Sequence, residues 1–427
     1  MDEVIIKGRN YKIRGGIKVK KLGVFIIIVL FLIPGVSFAQ QKQKVTFYWA
    51  LYDGLTEEFR AQLEKDFNAS HSDIEVEIVP IPWDLLYDKI TTAIAGGNPP
   101  EIAVAGTRWI IEFMKMGAIE EVTKYVSQKT IKNISPGAME AKIGGKLMGL
   151  PVAAGARILA YNADIVKKVP RTMEELREEA IRYNNPPNRY GLIMPGKKHT
   201  ELTDFAYYFY AAGGDFFEKR PDGSYGKCTV NSPAGVKALT FMVDMATKDK
   251  IVPEGFLSLD RMSSHPIFYA GKAAFCFIGA WVESAAKQAG ATFKIGYGQI
   301  PPFKGQKQQS LIITDSIVMF KNAKNLKAAG EFLDFFYQDK YKAKFDELIG
   351  FPPVTISASK LPQFQTPLYK TLSKAAMTAK GWPLIEGWEE YNSIIWDANV
   401  EAFLGRKTPQ QALDDAAKKI DELRGIK

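Results

Sequence analysis

The chain has 427 residues, which is enough for two domains with substantial hydrophobic cores. Its composition, 46% hydrophobic and 24% charged, is typical of a globular protein. The formal net charge is +9, but residues 1–39 hold seven Lys or Arg and two acids, and the remaining +4 is too small to indicate a nucleic-acid-binding protein.

The N-terminus has the pattern of a secretory signal. A lysine cluster precedes an apolar run over residues 22–33, and small residues stand three and one positions before a cut between Ala39 and Gln40. The run is shorter than the ~20 residues of an ordinary transmembrane helix. We therefore expect residues 1–39 to be a cleavable signal peptide and the mature protein to be periplasmic. An uncleaved membrane anchor is the alternative.

Alternating strand and helix patterns follow. They predict a strand ending near Ala50, a helix capped by Thr56, a strand at 74–78, a helix at 83–95, a strand at 102–105 and a helix at 108–116. This order indicates a parallel sheet with helices on both faces. Ligands of such sheets bind beyond the carboxyl ends of the strands. The loops there offer as ligand contacts Trp49, Tyr52, Asp53, Thr107, Arg108 and Trp109.

Two of these assignments have structural alternatives. Asp53 has a carboxylate that can accept hydrogen bonds from ligand hydroxyls, but it can equally cap the helix that follows it. Trp109 can line the ligand site or form the inward face of its helix.

Residues 144–162 interrupt the alternation. Pro151 is followed by small side chains up to Ala156, which leave room for another backbone or a ligand to approach closely. We interpret this stretch as a crossing between two lobes and expect Gly155 and Arg157 beside the ligand. Arg157 can instead form a salt bridge between the lobes.

The second half of the chain repeats strand and helix patterns. They predict a helix at 172–183 with Thr172 and Glu175 as a capping box, strands at 190–194, 273–278 and 294–300, an aromatic helix at 205–212 interpreted mainly as core, a long strand at 311–320, helices at 326–337, 340–348 and 388–404, and a last helix capped by Thr408 and Gln411. The strand at 311–320 is interrupted by Asp315 and its neighbours, and we interpret it as a second crossing, with a third at 362–367.

A search for catalytic and metal-binding motifs is mostly negative. The sequence has no Gly-x-Ser-x-Gly, no phosphate-binding Gly-rich loop and no His-Glu-x-x-His, and its three histidines are far apart. We expect no cofactor and no metal site. The sequence does not exclude a pair of carboxylates for glycoside cleavage, because two acids that are distant in the sequence can lie side by side in the fold. Cys228 and Cys276 can form a disulfide after export or remain buried free thiols.

Several segments together resemble the bacterial extracellular solute-binding proteins of the maltose-binding type, family 1 of the ABC-importer receptors. The matching segments are Gly97-Asn98-Pro99-Pro100-Glu101-Ile102, residues 145–151 with Tyr161-Asn162, and residues 170–176, 269–275, 279–281, 302–305, 331–333, 405 and 412–413. The resemblance implies an α/β, type II periplasmic-binding-protein fold. It has two lobes joined by three crossings, here residues 40–151 plus 316–362 and residues 152–315 plus 363–427.

The resemblance also implies site residues. In the family a tryptophan at the position of Trp281 faces the cleft and stacks on a sugar, and the segment with Trp388 and Tyr391 caps the cleft; each of these rings can instead be core. Asp315 is either a ligand contact at the second crossing or a structural hydrogen-bond acceptor. The family often has Gly-Gly where this chain has Thr314-Asp315-Ser316, and an acidic or aromatic residue where it has Gly155-Ala156-Arg157. The identity of the ligand is therefore not transferable.

The sequence favours a receptor that traps a carbohydrate, a di- or oligosaccharide, between its lobes and delivers it to an ABC import permease. We expect a monomer that performs no chemistry and binds no nucleic acid. Arg108 and Arg157 motivate an alternative ligand, a phosphorylated polyol such as a glycerol phosphate ester. A remote alternative is an exported glycoside-cleaving enzyme that uses Glu386, Glu389 or Asp397.

Overall fold

The computed structural model describes residues 42–52, 54–198, 203–221 and 224–426. The signal peptide and its cut, expected within residues 1–40, and the site residue Asp53 lie outside this part of the chain. Within it, no helix combines the length and the apolar character that crossing a membrane requires.

Strands and helices alternate through the first part of the chain. In order, the elements are β1 (Gln43–Leu51), α1 (Glu57–Ser70), β2 (Ile74–Pro82), α2 (Trp83–Ala95), β3 (Ile102–Gly106), α3 (Ile110–Lys115), β4 (Ile119–Glu120), α4 (Gln128–Lys132), β5 (Lys142–Ile143), β6 (Lys146–Leu147) and β7 (Leu150–Ala156). The helix predicted at 108–116 is shorter than expected, because its first turn is the 3₁₀ helix Thr107–Trp109.

Strands and helices continue through the second part of the chain. In order, the elements are β8 (Ile158–Asn162), α5 (Met173–Tyr183), β9 (Tyr190–Ile193), α6 (Thr203–Ala211), β10 (Phe217–Lys219), β11 (Tyr225–Cys228), α7 (Pro233–Thr247), α8 (Arg261–Tyr269), β12 (Ala273–Ile278), α9 (Val282–Gln288), β13 (Ile295–Gln299), β14 (Ser310–Phe320), α10 (Leu326–Phe336), α11 (Asp339–Ile349), α12 (Pro367–Ala376), β15 (Ala379–Lys380), α13 (Trp388–Phe403) and α14 (Pro409–Leu423).

Two sheets organise the described residues. The first has the order β15-β14-β3-β1-β2, with β4 and β7 also paired to β14, and the second has the order β13-β8-β12-β9. As predicted, β1 lies parallel to both β2 and β3. The sheet is nevertheless mixed, because β14 runs antiparallel to β3 and to β7.

The chain passes from the first sheet to the second at Arg157. Strand β7 pairs with β14 in the first sheet, and β8 pairs with β12 and β13 in the second. Arg157 is the one residue between them, and its backbone N–H donates to the carbonyl of Leu311 at 2.8 Å. This backbone bond fixes the guanidinium-bearing residue at the junction of the sheets.

Of the two capping boxes predicted from the sequence, the structure contains one and lacks the other. Thr408 and Gln411 form the predicted capping box of α14. Thr172 caps α5 through the backbone N–H of Glu175, but the Glu175 carboxylate accepts from the N–H of Arg171 instead of Thr172. The reciprocal capping box predicted there is therefore wrong by one residue.

The aromatic helix and both cysteines belong to the core. The side chains of Phe205, Tyr208 and Phe209 on α6 are buried, as the sequence indicated. Cys228 and Cys276 are free and buried, and burial raises the pKa of the Cys228 thiol to about 12. The free-thiol alternative therefore describes the two cysteines.

Candidate functional site

Asp315 lies where the strands of the first sheet meet the crossing. In β14 it is paired with Gly106 of β3 on one side and Ala153 of β7 on the other. Its side chain is buried and accepts a hydrogen bond of 3.0 Å at Oδ2 from the hydroxyl of Tyr52, which follows β1. The structure thus brings together a residue that the sequence placed after the first strand and one that it placed at the second crossing.

Thr107 joins the same region through β14. Its hydroxyl oxygen lies 2.9 Å from the hydroxyl oxygen of Ser316, and both side chains are buried. Thr107 opens the 3₁₀ turn that follows β3, so it is held at the carboxyl end of the strand where the sequence predicted ligand contacts.

Arg108 and Trp109 both bind one carboxylate oxygen. Nε of Arg108 and Nε1 of Trp109 each donate to Glu389 Oε1 at 2.8 Å, and the guanidinium carbon lies 4.9 Å from the centroid of the Trp109 ring. The Arg108 side chain is 1% exposed and that of Glu389 17%. Arg108 is therefore engaged in a buried, charge-assisted contact between the first sheet and α13.

Trp281 is part of a stack of rings. Its ring lies 6.0 Å from Phe351 and 6.2 Å from His265, with interplanar angles of 25° and 27°. The guanidinium of Arg157 lies 4.7 Å from the ring centroid. Burial and the positive charges of Arg261 and Arg157 lower the pKa of His265 to about 3.

Gly155 makes room for Phe351. A Cβ atom at position 155 would lie 2.8 Å from two carbons of that ring. The same ring lies 6.1 Å from the ring of Tyr52, so Phe351 links Tyr52 to Trp281. The close approach predicted for the small residues of the crossing is thus made by a side chain of the loop after α11. Sequence reasoning missed Phe351, because only the turn residues around it stood out.

Glu140 is a second residue that sequence reasoning missed. It lies near the end of the 3₁₀ helix Pro136–Ala141, and its Oε2 accepts a hydrogen bond from the hydroxyl of Thr314. Burial, and then the charge of Asp315, raise the pKa of this carboxyl to about 7, while Arg108 acts in the opposite direction. No motif in the sequence marks an isolated glutamate in a short irregular segment.

Comparison with known proteins identifies the family of the chain. The sequence profile of the bacterial extracellular solute-binding proteins matches residues 52–343. The chain belongs to this family. A binding protein of Brucella abortus (strain 2308) is 30% identical over 393 residues, which cover 88% of this chain and 92% of the relative.

Other similar proteins have names or titles that state a ligand. The galactooligosaccharide-binding protein of Bacillus subtilis is 24% identical, covering 82% of this chain and 83% of its own length. The sn-glycerol-3-phosphate-binding periplasmic protein of Rhizobium meliloti is 25% identical, and the match covers 90% of this chain and 95% of the relative. The structure of maltose-bound MalE3 from T. maritima aligns with a TM-score of 0.80 at 23% identity, and the alignment covers 89% of this chain and 99% of MalE3. This likeness confirms the predicted α/β, type II periplasmic-binding-protein fold.

Trp49 occupies the core of this solute-binding protein rather than the loop rim. Its ring is 1% exposed and lies 4.9 Å from Phe47 and 5.4 Å from Phe345. Trp49 is one of the inward-facing residues of β1, so its indole packs beneath the sheet. Asp53, its expected neighbour at the rim, is outside the described residues.

Trp388 and Tyr391 pack into the core beside the second sheet. Trp388 lies 5.0 Å from Phe216 and 5.4 Å from Trp382, and Tyr391 lies 6.1 Å from Phe217. The core alternative therefore describes where these two rings lie. Within the described ranges, no group of three or more His, Cys, Asp or Glu side chains has the geometry to hold a metal ion.

Proposed function

We propose that this solute-binding protein captures a neutral carbohydrate, a di- or oligosaccharide, between two α/β lobes and passes it to an ABC import permease. The lobes would be residues 40–151 plus 316–362 and residues 152–315 plus 363–427. The protein would work as a periplasmic monomer after removal of residues 1–39. Ligand bound to both lobes would favour their closure, since a ligand shifts an equilibrium only by its differential affinity for the two states.

The observation that carries the proposal is the state of the charges around the site. The guanidinium of Arg108 is already compensated by Glu389 at 2.8 Å, so it does not need an anionic ligand. The remaining polar groups, among them the Asp315 carboxylate and the hydroxyls of Tyr52 and Thr107, are of the kinds that exchange hydrogen bonds with ligand hydroxyls. The B. subtilis relative and the maltose-bound structure support a carbohydrate.

We propose Trp281 as the ring that meets the ligand. Its Nε1 is buried without a hydrogen-bond partner among the described residues, and a buried N–H left unpaired is costly. A ligand oxygen beside Trp281 would supply the missing acceptor. We further propose Tyr52, Thr107, Arg157 and Asp315 as polar contacts, and Gly155 as the position that lets Phe351 support Trp281 from behind.

No chemistry is proposed for the bound ligand. Glu389, one of the acids considered for glycoside cleavage, accepts from both Arg108 and Trp109, and Glu386 forms an exposed ion pair with Lys115. These contacts hold both carboxylates in ion pairs with side chains of the protein. Product formation during prolonged incubation with oligosaccharides would contradict this part of the proposal.

A phosphorylated polyol is the alternative ligand. The R. meliloti relative supports it, and so does Arg157, whose planar guanidinium suits a phosphate. Arg108 supports it less, because Glu389 already neutralises that side chain.

A thermal-shift panel separates the two ligand classes. The panel contains maltose, a galactooligosaccharide mixture, sn-glycerol 3-phosphate and a glycerophosphodiester. A ligand that binds only the folded protein raises its melting temperature by mass action. We expect a shift with at least one sugar and none with the phosphoesters. A protein that ignores sugars and responds to a phosphoester would overturn the carbohydrate proposal.

Trp281→Ala tests the site. We expect the dissociation constant for the responding sugar to rise at least tenfold, which corresponds to about 1.4 kcal/mol. Trp396→Ala is the matched control, because that indole donates to the carbonyl of Gly196, away from the proposed site. Circular dichroism checks that both variants are folded. Equal affinities in the two variants would remove Trp281 from the site.

A further inference from the structure

Helix α8 begins with a cap that fixes the position of its first residue, Arg261. The carboxylate of Asp260 accepts a hydrogen bond of 2.9 Å from the backbone N–H of Ser263, and the Ser263 hydroxyl oxygen accepts one of 3.0 Å from the N–H of Asp260. Lys197 forms an ion pair of 3.4 Å with the same carboxylate. Because this reciprocal capping box orders the first turn of the helix, the backbone that carries Arg261 is well placed.

One face of α8 packs against the ring of Trp281. Arg261 and His265 lie four residues apart and therefore share a face of the helix. The guanidinium carbon of Arg261 lies 5.7 Å from the centroid of the Trp281 ring, and the ring centroid of His265 lies 6.2 Å from it. Arg157, at the junction of the two sheets, contributes a second guanidinium at 4.7 Å. The indole thus contacts cations from two separate parts of the fold.

Other neighbours restrict the rotation of the same indole. A Cβ atom at Gly279 would overlap the six-membered part of the ring, and one at Gly350 would lie 2.8 Å from the Cα atom of Trp281. The ring of Phe351 lies 6.0 Å away. The Nε1–H of Trp281, which we assign to a ligand oxygen, therefore points in a direction set by these neighbours. Since a hydrogen bond weakens when its donor is misaligned, the orientation of the indole affects ligand affinity.

We propose that Arg261 is a positioning residue, whose guanidinium stabilises the orientation of Trp281 from which Nε1 donates to the ligand. This inference rests on the proposed function, because Trp281 is the ring assigned there to the ligand. The attraction between a guanidinium and the face of an indole is electrostatic, and it is stronger where the ring is removed from water. Trp281 is buried, which favours such an attraction. Arg261 does not need to contact the ligand in this role.

The charges near the ring indicate what loss of Arg261 would do. Arg261 and Arg157 both lie close enough to His265 to oppose its protonation, so the imidazole between the helix and Trp281 is neutral at pH 7. The attraction on the indole therefore comes from the two guanidinium groups rather than from the imidazole. Without Arg261, the attraction of Arg157 from the crossing would be left unbalanced, and we expect the indole to change its orientation.

The first arm of the test needs no ligand. The protein, which has seven tryptophans, is labelled with ¹⁵N at the indole nitrogens and examined by NMR, and Trp281→Phe identifies the Trp281 signal. We expect Arg261→Met, which removes the charge, to move the Trp281 signal but not that of Trp396, whose indole donates to the carbonyl of Gly196. The control Arg182→Met, at a side chain that is 67% exposed, should move neither signal. A Trp281 signal that is the same in Arg261→Met and in the wild type overturns the proposal.

The second arm measures affinity for maltose by calorimetry. We expect Arg261→Met to raise the dissociation constant about fivefold, and Arg182→Met to leave it within about 1.5-fold of the wild type. Arg261→Lys keeps the positive charge on a different head group and should raise it only about twofold. The melting temperatures of Arg261→Met and Arg182→Met should be similar. Equal affinities in these two variants contradict a role of Arg261 in binding.

A third arm separates positioning from direct contact with the ligand. Trp281→Phe keeps an aromatic ring but has no N–H to orient. In this background we expect Arg261→Met to change the dissociation constant by less than about 1.5-fold, because the two residues act as a pair. A fivefold loss in both backgrounds would show that Arg261 does not act through the indole. If maltose does not bind the wild type, the carbohydrate proposal is weakened, while the NMR arm still decides whether Arg261 orients Trp281.

Discussion

The guanidinium of Arg108 is enclosed on one side by the ring of Trp109 and at its edge by the carboxylate of Glu389. Removing one partner of such a pair leaves the other charge in a low-dielectric environment, which costs far more than the net gain from forming the pair. Because Trp109 donates to the same oxygen, loss of Glu389 would also leave an indole N–H without its acceptor.

We therefore predict that Glu389→Ala lowers the free energy of unfolding by about 2–4 kcal/mol, since the buried Arg108 loses the carboxylate to which its Nε donates. Urea unfolding followed by tryptophan fluorescence measures the change. Glu390→Ala, one residue along α13 and exposed, is the control and should stay within about 0.5 kcal/mol of the wild type. Equal losses in the two variants would show that the Arg108 contact does not stabilise the fold.

Polar residues that follow or interrupt predicted strands were the sequence feature that predicted the candidate site. Tyr52, Thr107 and Asp315 follow or interrupt buried strands, and the sheet brings them together. Glu140 and Phe351 lie in irregular segments that carry no periodicity. Their roles arise from packing against residues that are distant in the sequence, which no local pattern encodes.

At the level of elements, the crossing strand β7 depends on the absence of a side chain at Gly155. The ring of Phe351 fills the space that a Cβ atom would take. The Phe351 ring also contacts Trp281, which follows β12 of the second sheet, and Tyr52, which follows β1 of the first. A methyl group added at residue 155 would therefore displace a ring that packs against both sheets. Overpacking of this kind typically costs 1–3 kcal/mol.

We predict that Gly155→Ala destabilises the protein by about 1–3 kcal/mol and that Phe351→Leu in the same chain recovers part of this loss. The flexible leucine relieves the clash, although Phe351→Leu alone is destabilising because it removes ring contacts. A double-mutant cycle of thermal unfolding measures the coupling. Strictly additive effects would mean that residue 155 and the Phe351 ring do not press on each other.

The sequence predicted the elements better than their pairing. Hydrophobic periodicity located β1 to α3 and the long strand β14, because each buries one face or both. It did not predict that β14 runs antiparallel between β3 and β7. Pairing partners of a strand distant in sequence are selected by the assembled sheet, and side-chain alternation within the strand contains no information about them.

For the molecule as a whole, the neutral imidazole of His265 links stability to pH. It lies on α8 against the ring of Trp281, and its side chain is buried. Burial and the charges of Arg261 and Arg157 hold its pKa at about 3, whereas an exposed histidine in the unfolded chain titrates near 6.5. At pH values between these two pKa values, His265 therefore binds a proton in the unfolded chain but not in the folded protein.

It follows that acidification removes stability from the wild type through His265. The contribution is fully present above about pH 6.5 and falls by about 1.4 kcal/mol per pH unit down to about pH 3. His265→Phe keeps a ring in the stack but cannot titrate. Between pH 7 and pH 5 we expect the free energy of unfolding of the wild type to fall by about 2 kcal/mol more than that of the variant, measured by urea unfolding. The carboxyl groups common to both proteins cancel in this difference, so parallel pH profiles would mean that His265 is protonated inside the folded protein.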